Sequence, residues 1–388
     1  MKASTFVYPW DVNGDPAAPA RIAALGVAQV TLAAAYHSTR ALTPRHPRHR
    51  IVTAEHAAVL YPADDRWEGR ELRPCPAGDW APGDAFGEAA TALAEAGLEV
   101  HTWVVLAHNS RLGAEHPGTS VVNAYGDRYP WAPCIAQPAT RAYLTDLAAE
   151  AAVRPGARGT ELESLGWYGL EHLHAHDKTG GVGLGEAGQY LMALCFCPSC
   201  REGYGRHGLD PDELAAAVRA ALEPVWQGAA PSGGGWPGIE KLLGESLANT
   251  TRAYRDETAR TLQEQAVAAV RAAAPDGFQV LLHADPVSYH VGANPGVDPA
   301  HILSVADGVV VPCAGGTGTL TPFARQDREG AVIAANFPVV AGMGGSPGTL
   351  AADADGARRQ GAGELRLYHA GLASDDDLGA VRSALAGL

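Results

Sequence analysis

Apolar runs and alanine-rich amphipathic stretches alternate along the whole chain. Most of the apolar runs are continuous rather than alternating, a pattern typical of parallel strands that are buried on both faces. They predict eight strands, at residues 4–10, 26–35, 98–107, 159–165, 277–284, 308–313, 331–338 and 364–370. Predicted helices include residues 84–96, 138–153, 245–274 and 376–387. Eight strands alternating with helices predict an α/β fold, a single TIM-type (β/α)8 barrel over residues 1–388.

Two predicted connections are much longer than a simple crossover. Residues 36–82 follow the second strand, and residues 166–244 follow the fourth. Long loops in a compact domain usually carry function or small elements of their own. Both leave the C-terminal ends of strands, where barrel enzymes build their active sites. An open doubly wound sheet is the alternative fold, but no glycine-rich phosphate loop follows the first strand.

Charge and motif content exclude several classes of function. The chain has 29 Lys and Arg against 43 Asp and Glu, a net charge of −14, which argues against a nucleic-acid partner. The sequence has neither a signal-peptide pattern nor an apolar run that approaches the roughly 20 residues of a membrane helix. We therefore expect a cytoplasmic protein without membrane contact. HExxH and phosphate-loop motifs are missing, and the one GxSxG match, Gly344–Gly348, lacks the strand–turn–helix setting of a nucleophile elbow. Serine hydrolysis and phosphoryl transfer therefore have no positive support.

Acidic residues end two neighbouring predicted strands. Glu161 and Glu163 share one face of the fourth strand, and Glu163 lies nearer its end. His283 and Asp285 share a face at the end of the fifth strand. Buried carboxylates cost free energy unless they are paired or used. The pattern predicts Glu163 as a catalytic acid, with Asp285 or Glu161 as the second carboxylate; ion pairing of the glutamates and loop capping by Asp285 are the alternatives.

Aromatic and hydrogen-bonding residues cluster at the same predicted strand ends. Such pairings suit carbohydrates, whose C–H faces stack on rings while their hydroxyls form hydrogen bonds. The candidate binding residues are Trp10, Asp11, Tyr36, His37, Asn109, Trp167, Tyr168, His172, His174, Asp177, His283, Asn336 and His369. They predict a small carbohydrate-like substrate. The histidines after the fourth strand also leave open a metal site or a polar loop without a special role.

Three of the six cysteines lie within six residues of one another. Cys195, Cys197 and Cys200 have CxCxxC spacing, and tetrahedral zinc needs a fourth ligand. Cys134 is the best candidate for it, with Cys75 second. A structural zinc site and a packed thiol cluster without metal both stay open, and no cofactor is expected for catalysis.

Three stretches of the first 210 residues resemble bacterial glycoside-hydrolase-like barrel proteins. They are Gly159–Glu163, the aromatic and histidine-rich loop after it, and the CFCxxC segment of Leu194–Cys200. The resemblance implies a glycosidase in which Glu163 matches the acidic position ending the fourth strand. Many barrel glycosidases carry their nucleophile on the seventh strand, where this chain has Asn336. That departure puts an ordinary retaining mechanism with two catalytic glutamates in doubt.

Three hypotheses of function follow. The leading one is a glycoside-hydrolase-like enzyme that acts on a small saccharide or glycoside by carboxylate acid/base catalysis. The second is a metal-dependent hydrolase or lyase that uses His172, His174, Asp177 and His283. The third is a carbohydrate-binding barrel without catalytic activity.

Overall fold

The computed structural model describes residues 1–170, 177–230, 233–326 and 328–388. Its centre is a closed barrel of eight parallel strands: β1 Lys2–Val7, β2 Gln29–Tyr36, β3 Glu99–Val105, β4 Gly159–Glu163, β5 Gln279–His283, β6 Gly308–Pro312, β7 Val332–Pro338 and β8 Glu364–Tyr368. Each strand pairs with the next, and β8 pairs with β1 to close the ring. The predicted TIM-type barrel is confirmed. Each predicted strand is present, with ends shifted by a few residues.

Helices surround this barrel, and several of them lie within the connections between its strands. Those of the described chain are α1 Ala18–Ala23, α2 Ala85–Glu95, α3 Ser110–Glu115, α4 Pro138–Ala152, α5 Gly185–Met192, α6 Pro198–Arg206, α7 Pro211–Trp226, α8 Gly235–Leu243, α9 Glu245–Ala273, α10 Pro299–Val305, α11 Thr321–Ala324, α12 Leu350–Arg359 and α13 Asp375–Leu385. Their starts follow local chemistry: the Asp84 side chain accepts a hydrogen bond from Gly87 N at 2.9 Å and caps α2. Within the described ranges, no helix is both long and apolar enough to cross a bilayer.

Long connections leave the C-terminal ends of β2, β3 and β4. The connection after β2 contains the hairpin Thr39–Leu42/Ile51–Ala54, and the one after β4 contains α5 to α8. The third connection, after β3, contains α3 and a hairpin of Ser120–Val122 with Arg128–Pro133. The sequence pattern did not identify it, because its strands are too short to show a period. All three connections stand around one end of the barrel.

A buried glutamate fastens the connection after β2 to the helical layer. Glu150 of α4 is 2% exposed. Its Oε2 accepts hydrogen bonds from Tyr61 OH at 3.2 Å and from Trp67 Nε1 at 2.7 Å, and its Oε1 accepts one from Asp64 N at 2.6 Å. Three donors of one loop therefore depend on a single carboxylate from another element.

Removing this carboxylate should destabilise the protein. In Glu150→Ala the three donors lose their acceptor, and the Tyr61 and Trp67 side chains stay buried without one. We therefore expect a loss of about 3 kcal/mol in the free energy of unfolding. Urea denaturation followed by circular dichroism measures it. Glu55→Ala, an exposed position of the same connection, is the matched control. Equal stability of the two variants would contradict the anchoring role of Glu150.

Candidate active site

A cavity of about 950 Å³ opens at the end of the barrel where the three long connections gather. Ligand sites of proteins commonly have about this volume. It is lined by strand ends and by loops that follow β2, β4, β5 and β7. The candidate residues that line it are Tyr36, His37, Glu163, Tyr168, His283, Asp285 and Asn336. The structure thus brings seven of the predicted site residues to one cavity.

Glu163 is the last residue of β4 and is 8% exposed. Its Oε2 accepts a hydrogen bond from Trp103 Nε1 at 2.7 Å. Burial raises the pKa of the Glu163 carboxyl above its usual value, although His283 and the Trp103 hydrogen bond act in the opposite direction. Directly after it, Ser164 has a φ of 56°, a left-handed conformation that is uncommon for a residue with a Cβ. The strand therefore ends abruptly at this acid.

Glu161, two residues earlier, lies in the closed interior of the barrel. It is fully buried, and its Oε1 accepts hydrogen bonds from Arg366 Nε and from Thr31 Oγ1. Burial alone would raise the pKa of Glu161, but the Arg366 guanidinium and His283 outweigh it and bring the pKa to about 2. Glu161 does not line the cavity. Its contacts match the ion-pairing alternative and not the role of a second catalytic carboxylate.

One wall of the cavity is a continuous stack of aromatic rings. The ring centroids of Tyr36 and His37 lie 4.2 Å apart, those of His37 and His108 4.5 Å, and those of His108 and Tyr168 4.3 Å. All four residues line the cavity. Because they come from the ends of β2, β3 and β4, the wall depends on the direct pairing of these three neighbouring strands. Aromatic side chains that line a cavity suit the C–H surfaces of a sugar.

The deeper part of the cavity contains neutral hydrogen-bonding groups. Tyr8 OH donates to Tyr36 OH at 3.1 Å, and burial raises the pKa of Tyr36 and of Tyr368, which also lines the cavity. Both phenols therefore stay protonated and can donate hydrogen bonds. Asn336 lies near the C-terminal end of β7, and its Oδ1 is buried without a hydrogen-bond partner in the described chain. It offers an acceptor for a bound hydroxyl.

A histidine joins two carboxylates at the rim of the cavity. His290 Nδ1 lies 3.1 Å from Asp285 Oδ1, and His290 Nε2 lies 3.1 Å from Glu186 Oε1. The hydrogen bond with Asp285, supported by Glu186, raises the pKa of His290 to about 9. Asp285 Oδ1 also accepts a hydrogen bond from Val287 N at 2.8 Å, so the predicted loop cap is present as well. All three titratable residues line the cavity.

Sequence reasoning missed several lining residues, among them Trp103, Glu186, Tyr190, Tyr289 and His290. Trp103 could have been found, because it faces inward on β3 beside Glu161 in the register of β4. The other four lie on α5 and on the loop after β5, where no strand end or spacing marks them. Only the tertiary fold brings these two segments together.

Six predicted binding residues of the described chain lie outside the cavity lining, and several of them form hydrogen bonds within the fold. The Asn109 side chain accepts a hydrogen bond from Leu112 N at 2.9 Å and caps α3, and Trp167 Nε1 donates to the backbone oxygen of Arg255 at 3.0 Å. Asp11 Oδ2 accepts a hydrogen bond from Tyr8 N at 2.8 Å, inside a turn just beyond β1. The complete set is Trp10, Asp11, Asn109, Trp167, Asp177 and His369.

The described residues provide few ligands for the predicted histidine metal site. Asp177 is exposed and does not line the cavity, while His172 and His174 lie outside the described residues. Among the residues that the structure does describe, one group of His, Cys, Asp and Glu has its ligand atoms close enough for a metal. It is the buried cluster of Cys134, Cys195, Cys197 and Cys200.

Breaking the ion pair beneath the cavity should be costly. Arg366 is fully buried, so Arg366→Met leaves Glu161 without its cation, and we expect about 3–5 kcal/mol of destabilisation. The double variant Glu161→Leu/Arg366→Met removes both charges and should be more stable than Arg366→Met alone. Chemical denaturation of the wild type, the double variant and the two single variants Glu161→Leu and Arg366→Met tests this. A double variant that loses the sum of two large single effects would contradict the pairing.

The histidine bridge at the rim predicts a specific dependence on pH. The pKa of His290 is about 9 in the folded protein and about 6.5 in an unfolded chain. Its stabilisation is therefore complete below about pH 6.5 and is lost as the pH rises through about 9. We expect the difference in melting temperature between the wild type and His290→Gln to shrink over that range. A difference that stays constant from about pH 6 to pH 10 would rule out the charged bridge.

Comparison with known proteins places the fold. No protein-family model matches the chain, and no curated protein matches its sequence. Solved structures do match. An α-L-fucosidase isoenzyme 2 from Paenibacillus thiaminolyticus superposes with a TM-score of 0.61 at 12% identity; the match covers 100% of this chain and 49% of the fucosidase. The chain thus spans about half the length of that enzyme.

Two further structures match over nearly their entire length. The glycoside hydrolase domain of PgaB (BpsB) from Bordetella bronchiseptica has a TM-score of 0.55 and 16% identity, with 99% of both chains covered. The catalytic domain of a β-amylase from Paenibacillus polymyxa has a TM-score of 0.56 and 13% identity, with 99% of this chain and 97% of that one covered. At such low identity the likeness concerns the fold alone. The chain shares the (β/α)8-barrel fold of these structures.

Proposed function

We propose that the protein is a glycosidase that uses Glu163 as its general acid. The observation that carries this proposal is the environment of that carboxyl, which is buried at the end of β4 and faces an aromatic cavity. Its raised pKa keeps a larger share of the acid protonated near neutral pH. The barrel fold of the matched glycoside hydrolases supports the same reaction class.

The proton would pass from Glu163 to the oxygen of the glycosidic bond as that bond breaks. Departure of the leaving group makes the sugar ring cationic in character, and a second carboxylate stabilises it or activates water. Asp285 is our candidate, because it lines the same cavity and is held by Val287 N and His290. Glu186 is a third carboxylate of the lining and belongs in the same mutational test.

The remaining lining would hold the sugar. The stack from Tyr36 to Tyr168 offers an aromatic surface, and the protonated Tyr368 phenol and the Asn336 amide offer hydrogen bonds to hydroxyls. Asn336 replaces the carboxylate that the family resemblance leads one to expect on β7. The second acid of this chain must therefore come from another element, and the loop after β5 supplies one.

Glu163→Gln tests the proposed role directly. For substrates with a poor leaving group, such as disaccharides, we expect kcat/KM to fall about 100- to 10,000-fold, because protonation is lost. Aryl glycosides with an acidic phenol need little protonation, and their turnover should fall far less. In the wild type, kcat/KM should decrease as the pH rises through the pKa of Glu163, and this basic limb should vanish in the variant.

Exposed Glu95→Gln on α2 is the control for expression and folding. An equal loss of activity on both classes of leaving group would contradict the role of Glu163 as proton donor. Saccharide binding by the wild type in calorimetry, without turnover of any glycoside in a broad panel, would instead indicate a carbohydrate-binding barrel.

A further inference from the structure

Four cysteine sulfurs converge at one buried point outside the cavity lining. Cys134 Sγ lies 3.5 Å from Cys200 Sγ, 3.6 Å from Cys197 Sγ and 3.7 Å from Cys195 Sγ. All four sulfurs lie within 4.8 Å of one another, and all four residues are buried. A disulfide would bring two sulfurs to about 2.05 Å, and none of the four cysteines forms one.

These separations fit the geometry of a single tetrahedral ion. Zinc bound by thiolates has Zn–S distances of about 2.3 Å, which gives a regular tetrahedron edges of about 3.8 Å. Backbone amides also donate toward the cluster, from Val122 N and Cys197 N to Cys195 Sγ at 3.4 and 3.5 Å. Such donors stabilise negative charge on sulfur, and a metal requires the thiolate form.

We infer that Cys134, Cys195, Cys197 and Cys200 bind one zinc ion in a closed structural site. Four thiolates fill the coordination sphere and leave no position for water or substrate, so this site takes no part in bond cleavage. The all-sulfur donor set selects zinc over magnesium or calcium, which prefer oxygen.

The site joins two of the long connections. Cys134 directly follows the hairpin after β3. In the connection after β4, Cys195 and Cys197 lie between α5 and α6, and Cys200 lies in the first turn of α6. Hydrogen bonds also join the two connections, among them Phe196 N to Val122 O at 2.6 Å and Tyr129 OH to Met192 O at 2.8 Å. The metal would add a cross-link of four bonds at this contact.

Helix α5 connects the cysteine cluster to the cavity. It ends shortly before Cys195 and holds Glu186, Gln189 and Tyr190, which line the cavity. A zinc ion at the end of this helix would fix the wall that these three side chains form. The zinc ion would hold this wall in place whichever reaction the cavity supports.

Elemental analysis of the full chain, purified without a metal-affinity step, tests the inference. We expect a single zinc ion per chain in the wild type and its loss in Cys195→Ser and Cys200→Ser. Cys75→Ser and Cys313→Ser, whose thiols lie outside the cluster, are the matched controls and should keep the metal. Retention of zinc by both cluster variants, or absence of zinc from the wild type, would overturn it.

A second measurement on the wild type covers the case in which the variants do not fold. A thiol-specific mercurial reagent should release zinc to a coloured indicator in step with modification of the cluster thiols. Hydrogen exchange should then rise in residues 120–133 and 185–200, while the barrel strands remain protected. Bound iron, two disulfides within the cluster, or four free thiols in a metal-free protein would each contradict the zinc site.

Discussion

One buried guanidinium gives the two glutamates of β4 different electrostatic environments. Arg366 of β8 donates to Glu161 across the barrel interior, and the pKa of Glu161 falls to about 2. Glu163, two residues on, has an indole as its hydrogen-bond donor and a raised pKa. The interior charge is therefore satisfied below the cavity, and a carboxyl group with a raised pKa is left at the cavity itself.

Closure of the barrel is what makes this arrangement available from distant parts of the chain. Glu161 and Arg366 meet because β4 and β8 face the same interior, and Trp103 reaches Glu163 because β3 pairs with β4. The aromatic wall depends on the pairing of β2, β3 and β4. A change that weakened the pairing of these strands would therefore act on the acid, the wall and the ion pair together.

The sequence pattern located the strands well, because parallel barrel strands are continuous apolar runs. Strand ends then pointed to Glu163, Tyr36, His283 and Asn336, which all line the cavity. Predictions were weaker where the chain turns after a strand. Asn109 and Asp11 have the chemistry of binding residues, but local hydrogen bonds use it for a helix cap and a turn. Glu186 and His290 could not be paired from sequence, since they come from connections with no common spacing.

The hydrogen bond from Trp103 also makes the two carboxyl oxygens of Glu163 chemically inequivalent. An indole N–H can donate but never accept, so Oε2 must act as an acceptor whether the carboxyl is charged or neutral. In the neutral acid the carbonyl oxygen is the stronger acceptor, so this bond favours Oε2 as the carbonyl oxygen and places the proton on Oε1. The indole occupies the Oε2 side, so a proton that Glu163 gives up leaves preferentially from the side away from the indole.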